Sequence, residues 1–262
     1  MAKKEKKIIY YKDELNDDFS DIGLERPKLD EDFKFIRSKN PIYTFFAGWL
    51  FYLVAKPIFY TINFFRGIRY HNVKKLKKFK KVGCFIYQNH TTFYDMWTVT
   101  ACVVRGKRTN VIGFSDTTSM KFVHFFARQL GYIPIPDSFR TTINFQKALD
   151  YYINDKHQNI LIFPERHVWP MYTKIRPYNS ASFHYPAKLK APIIPITTTY
   201  RKRKLFKKPG IDIWVGDAVY PKEELSLKEN KEFLRNECYK QMCEISLNTP
   251  QEEYYIYKKQ ED

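Results

Sequence analysis

Between residues 83 and 215 short apolar runs alternate with longer stretches of helical period, and this alternation restricts the fold more than any other feature of the chain. Residues 83–87 (GCFIY), 110–114 (NVIGF), 131–135 (GYIPI), 159–163 (NILIF) and 192–199 (PIIPITTT) read as strands, with 211–215 (IDIWV) as a sixth. Helical patterns occupy residues 93–104, 120–130, 141–153, 180–189 and 222–247. Strands alternating with helices predict an α/β domain whose mostly parallel sheet is flanked by helices. Ligands of such sheets bind just beyond the carboxyl ends of the strands, so the turns that leave them are where chemistry is expected. The chain shows no internal repeat and no glycine-rich phosphate loop.

Two different segments precede this domain. Residues 1–40 carry ten basic and ten acidic side chains with little apolar periodicity, which reads as a polar, charged and mobile lead-in. The net charge of +17 therefore resides beyond residue 40. Residues 41–65 then hold ten aromatic rings and one charge, Lys56. A membrane span needs about 20 uninterrupted apolar residues, and Lys56-Pro57 breaks the run, so a kinked or hairpin element at the membrane interface is expected. Trp49, Phe51 and Tyr52 are its candidate interfacial rings. Arg66 and Arg69 follow with a lysine run that includes Lys74, Lys75, Lys77 and Lys78, and no acid intervenes. Each such cation near an anionic bilayer is worth about 1 kcal/mol, so the cluster is expected to hold the segment on anionic lipid. The resulting division is lead-in 1–40, aromatic element and basic linker 41–80, and α/β domain 81–262.

Several classes are disfavoured. The four cysteines, Cys84, Cys102, Cys238 and Cys243, fit no zinc or redox spacing and read as reduced intracellular thiols. No apolar core of a secretory signal follows the first lysines. His71, His124, His157 and His184 have no second ligand at metal spacing, so no metal is expected. A nucleic-acid binder would explain the basic charge and the rings, but no recognition motif accompanies them and the apolar run would have no purpose.

The first strand exits into Gln88-Asn89-His90-Thr91-Thr92-Phe93-Tyr94-Asp95. Five residues on one helix turn through about 140°, so His90 and Asp95 meet when the histidine lies in the turn and the acid in the first turn of the next helix. Thr91 or Thr92 is then the expected N-cap. An imidazole held at one nitrogen by a carboxylate keeps the other as a base near neutral pH. The fourth strand exits into Phe163-Pro164-Glu165-Arg166-His167, followed by Lys174 and Arg176, which reads as an anion clamp or an exposed basic loop.

These blocks, in this order, resemble the lysophospholipid acyltransferase family, the 1-acyl-glycerol-3-phosphate acyltransferases and their relatives. Asn89-His90 with Asp95 matches the family's Asn-His-x4-Asp signature, and Phe163-Pro164-Glu165 matches the start of its Phe-Pro-Glu-Gly-Thr-Arg block. The second block is similar to residues 131–136, with Asp137 at the usual arginine position and Arg140 nearby; the fourth is similar to residues 191–196. Arg166-His167-Val168 departs from the third block. The resemblance, over roughly residues 80–200, implies a glycerolipid acyltransferase-like fold at the cytoplasmic membrane face. It also implies acyl transfer from acyl-CoA or an acyl carrier protein to a lysophospholipid hydroxyl, without a cofactor. His90 would be the base and Asp95 its support. Asn89, Glu165, Arg166, Arg176, Arg140 and Lys174 are the residues expected around the phosphate-bearing acceptor.

Overall fold

The computed structural model describes residues 6–19, 26–38, 40–92, 94–104, 107–115, 121–204, 206 and 208–260. Residues 93 and 120 and the side chains of Tyr52 and Cys102 lie outside them.

Six of the strands form where the apolar runs stand: β3 (Cys84–Gln88), β4 (Thr109–Gly113), β5 (Tyr132–Pro134), β6 (Asn159–Ile162), β7 (Ile193–Arg201) and β8 (Gly210–Val215). With β2 (Ile68–His71) they make a seven-stranded sheet in the order β2-β8-β7-β3-β6-β4-β5. All pairs are parallel except β7 with β8, so β2 and β8 run opposite to the rest. β3 and β6 are buried along their whole length, which is why they read as continuous apolar runs.

The pleat sends alternate residues into two cores. Phe85 and Tyr87 pack with α5 (Phe139–Asp150), α6 (His184–Lys188) and α7 (Leu227–Asn248). Cys84 and Ile86 pack on the other face with Val99, Val103, Ile194 and Ile213. Burial pushes the Cys84 and Cys238 thiols up to about 12, so both are inert packing groups.

The aromatic segment is one continuous helix, not a hairpin. α1 (Pro41–Trp49) passes through a wide turn, Leu50–Ala55, into α2 (Lys56–Arg66). The Lys56 amide reaches back five residues to the Phe51 carbonyl, and this π-type geometry makes room for Pro57, which lacks an N–H and would crowd a normal α-turn. Ala47, Phe51, Ala55 and Asn63, spaced by fours and eights, form a buried stripe on the domain. Phe59 stacks on Trp97 at 5.3 Å, and Asn63 donates to the Tyr70 hydroxyl at 2.6 Å. Phe51 is therefore a packing residue at 3 % exposure, whereas Trp49, Phe64 and Phe65 lie on the bare face.

Two further expectations change. The lead-in is seated on the domain where it is described: β1 (Lys7–Tyr11) pairs in parallel with β9 (Tyr255–Lys259), and the Leu29 amide donates to Asp137 at 2.7 Å. The division at residue 81 cuts through the sheet, because β2 belongs to it. Since β2 runs opposite to β3, it carries Lys74, Lys75, Lys77 and Lys78, in the 3-10 turn Val73–Phe79, to the sheet end opposite His90. There Lys75 pairs with Asp217 at 2.7 Å. His71, expected without a partner, bonds Asp212 at 2.7 Å and stacks on Trp214.

Candidate active site

β3 ends at Gln88, and Asn89 continues it by side chain: its Oδ1 accepts from the Thr198 amide at 2.7 Å and its Nδ2 donates to the Thr198 carbonyl at 3.1 Å. Asn89 thus extends the pairing of β3 with β7 and delivers His90 to the turn; it is buried, with both ends of its amide bonded to the Thr198 main chain. Asp95 opens the short helix α3 (Asp95–Thr98). Neither threonine is its N-cap, because Tyr94 holds that position without a side-chain bond. Instead Asp95 gathers the turn, accepting from the Thr91 amide at 2.7 Å, the Thr92 amide at 2.8 Å and the Thr92 hydroxyl at 2.9 Å.

The same carboxylate lies 3.3 Å from His90 Nδ1. It therefore selects the tautomer with hydrogen on Nδ1 and leaves Nε2 as the lone-pair nitrogen. Nε2 bonds to no other described residue, and the ring is stacked at 3.9 Å on Phe163 from the end of β6. Tyr200 braces the turn from β7 with a 2.7 Å bond between its hydroxyl and Thr91 Oγ1.

Glu165 is the second support. Its Oε2 accepts from the His90 amide at 3.0 Å and its Oε1 from the Arg176 amide at 2.9 Å, so one buried carboxylate ties the two strand-exit loops together. Burial pushes its pKa above the usual carboxylate value, while Arg176 and the two amides pull it down. The Arg176 guanidinium, fully buried over the Trp169 ring, donates to the Glu165 carbonyl at 3.1 Å and to the His167 carbonyl. Glu165 and Arg176, expected at the acceptor, are thus bonded to the main chain of the two loops and to each other. The chain also bonds the Trp169 amide to the His90 carbonyl at 3.1 Å and the Met171 amide to the Thr91 carbonyl at 2.9 Å.

The remaining expected cations scatter. Arg140 sits at the start of α5, paired with Glu31 and Asp32 of the lead-in at 3.2 and 3.1 Å. Lys174 is exposed. Arg166 is exposed on a cleft of about 330 Å³ that Leu15, Pro164, Glu165 and Tyr178 also line. Its φ of 69° is left-handed, a conformation that favours glycine, which explains the glycine at this point of the resembled block. Arg166→Gly is expected to raise stability by about 0.5–1 kcal/mol, measured by urea unfolding, since relief of the left-handed penalty exceeds the added chain entropy of glycine.

One cation beside the turn was read from the sequence as a headgroup ligand instead. Arg66 at the end of α2 lies over the Tyr94 ring at 5.8 Å, its Nε is sealed without a hydrogen bond, and it forms no ion pair among the described residues. Its charge, like that of Asp95, is felt at the Tyr200 hydroxyl. Only contact between the aromatic helix and α3 brings it here, and no sequence spacing shows that. Among the described residues no group of three or more His, Cys, Asp or Glu is placed to hold a metal ion.

No curated protein matches the sequence. The fold is similar to the crystal structure of PlsC, the 1-acyl-sn-glycerophosphate (LPA) acyltransferase of Thermotoga maritima, with a TM-score of 0.57 and 13 % identity over 82 % of this chain and 86 % of that one. The family model described as Acyltransferase matches residues 67–199, just over half of the chain and the part that holds β2 to β7, His90, Asp95 and Glu165; the chain belongs to the acyltransferase family.

Proposed function

We propose that this protein moves a fatty acyl chain from an acyl thioester, carried by coenzyme A or an acyl carrier protein, to the hydroxyl of a lysophospholipid. The proposed acceptor is 1-acyl-glycerol-3-phosphate and the product phosphatidic acid. The observation that carries this reading is the His90–Asp95 pair, with Nδ1 committed and Nε2 free, at a strand exit held by Glu165.

In this reading Nε2 removes the acceptor hydroxyl proton as the oxygen attacks the thioester carbonyl. The tetrahedral intermediate collapses, the C–S bond breaks, and the imidazolium returns its proton to the departing thiolate. Asp95 stabilises the imidazolium, and no acyl-enzyme forms. Arg66, unpaired and next to Tyr94, and Arg166, exposed beside Glu165, are the cations available to the acceptor phosphate.

The aromatic helix suits a place in the membrane interface. One helix stretch, Phe45–Arg66, is long and apolar enough to cross a bilayer, yet its Phe51 stripe is docked on the domain while Phe64 and Phe65 are 80 % and 70 % exposed. A helix docked on one side and bare on the other lies in one leaflet. The proposed thioester donor would be met on the cytoplasmic side, which is the side this reading assigns to the domain. Arg203, which donates to the Phe65 carbonyl at 3.2 Å, and the exposed Arg69 of β2 stand near the end of the helix and would meet anionic headgroups. Phe64→Ser with Phe65→Ser is expected to weaken partition to anionic vesicles by about a hundredfold or more in flotation assays, from the loss of roughly 1.5–3 kcal/mol for each of the two rings. Phe51→Ala, by contrast, is expected to cost about 3–5 kcal/mol of folding stability.

The deciding experiment is a transfer assay with the purified protein in anionic vesicles, crossing acyl-CoA and acyl carrier protein donors with several lysophospholipids. Formation of diacyl lipid that requires His90 supports the reading. Tight lipid binding with no transfer from either donor would identify a catalytically silent lipid-binding member of the family.

A further inference from the structure

At the sheet end opposite His90 lies a second feature, independent of the proposed acyl transfer. Arg108 and Gln158 immediately precede β4 and β6, whereas His90 follows the last residue of β3, and the three strands are parallel. Arg37, Ser38, Tyr43, Arg108, Lys156 and Gln158 line a cleft of about 100 Å³ there, with Ala47 and two tyrosines as its apolar wall. No Asp or Glu lines it.

Arg37, Arg128 and Lys156 are not neutralised by a described carboxylate. Arg37 donates to the Arg128 carbonyl at 3.2 Å and to Asn110 Oδ1 at 2.9 Å, both neutral oxygens. A further side-chain bond goes to the Tyr152 hydroxyl, again a neutral partner. Arg128, directly behind it, donates to the Lys34 carbonyl at 2.5 Å and lies over the Phe33 ring. Neither arginine, nor Lys156, has a carboxylate within ion-pair distance among the described residues. The two guanidinium groups repel each other and are partly desolvated, a combination that ordinarily calls for an anion.

The remaining donors converge on the same space. Tyr43, in the first turn of α1, supplies a phenolic hydroxyl, and Ser38 supplies a hydroxyl whose oxygen accepts from the Asn40 amide at 3.0 Å. The first turn of α1 contains no acid, so the positive end of the helix dipole adds to the field. Lys156 stands at the mouth, over the Tyr151 ring at 5.5 Å. Guanidinium, ammonium and hydroxyl donors without an acceptor carboxylate describe a site for a compact oxyanion. The volume lies below the roughly 300–1,000 Å³ of a site for a drug-sized ligand, which excludes a fatty chain or a nucleotide.

We propose that this cleft binds one phosphate group, separately from the His90 centre, either as the headgroup of an anionic lipid whose chains lie along the bare face of α1 or as a free phosphate.

Lys156→Glu and Tyr43→Phe, singly and together, test this in the full chain. Lys156 is exposed, so its replacement leaves the fold intact, and far-ultraviolet circular dichroism checks both variants. Calorimetric titration with inorganic phosphate is expected to show saturable binding that weakens about tenfold or more in the double variant. Flotation with phosphatidylcholine vesicles, with and without phosphatidic acid, assigns the source. Loss of the phosphatidic-acid increment along with phosphate binding identifies a lipid headgroup, and loss of phosphate binding alone identifies the free ion. Phosphate binding of equal strength in wild type and double variant, or none in the wild type, overturns the proposal. Acyl-transfer activity does not enter the readout, so the result stands whatever the substrate of the His90 site.

Discussion

His90→Ala is expected to lower acyl transfer by at least about a hundredfold while leaving the fold intact, because removal of a general base costs about 10²–10⁴-fold in rate. The turn does not depend on the imidazole. Its main chain is held by Glu165 on the His90 amide, by the Trp169 amide on the His90 carbonyl, and by Asp95 on the Thr91 and Thr92 amides, and all of these survive the substitution. The measurement is initial rate at saturating acceptor and donor, together with the melting temperature. Retention of more than a few per cent of the wild-type rate would remove His90 from the chemistry. Unchanged lipid partition with lost turnover separates the base from any role in binding.

Glu165→Gln is expected to have the largest effect on stability, about 3–5 kcal/mol, because it leaves the buried Arg176 charge without its carboxylate. In a chain of this size that is a fall in Tm of roughly 10 °C or more. An amide also cannot accept on both sides, so either the His90 or the Arg176 main-chain N–H, now held at 3.0 and 2.9 Å, loses its partner. Thermal unfolding and urea titration provide the measurement. The ion pair itself is tested by coupling: Glu165→Met with Arg176→Met should cost less than the sum of the single changes, since neither charge is then stranded. Additive losses would mean that the 3.6 Å pair contributes little beyond the main-chain bonds.

The parts of the structure that were legible in the sequence are those whose signal is local. β3, β6 and β7 are covered on both faces, so burial writes itself into consecutive apolar residues, and the strands fall within a residue or two of the runs. His90 and Asp95 were legible for the same reason, being five residues apart in one turn. β1, β2 and β9 read KIIYY, IRYH and YIYKK, short runs with charged residues among the apolar ones, and become strands through partners far away in the chain. Charge was the least legible property. Nothing in the letters separates Arg176, sealed under Trp169, from Arg166, exposed ten residues earlier, and Arg140 is neutralised by lead-in acids that read as belonging to a mobile segment. Phe51 and Trp49 look alike two positions apart, yet opposite faces of one helix give them opposite surroundings.

The pairing of β1 with β9 sets an order on biosynthesis. Trp169 stacks on Tyr257 of β9 at 5.1 Å and meets the tilted Tyr11 ring of β1 at 4.8 Å, and its indole N–H reaches the Asp17 carbonyl. A nascent chain that has emerged through β8 holds every strand of the large sheet, but Trp169, which lies over the Arg176 guanidinium, still lacks the Tyr257 ring. Translation must proceed past residue 259 before β1 gains its partner strand and Tyr257 covers Trp169, so a ribosome-tethered chain stalled short of β9 would have its large sheet assembled and β1 unpaired.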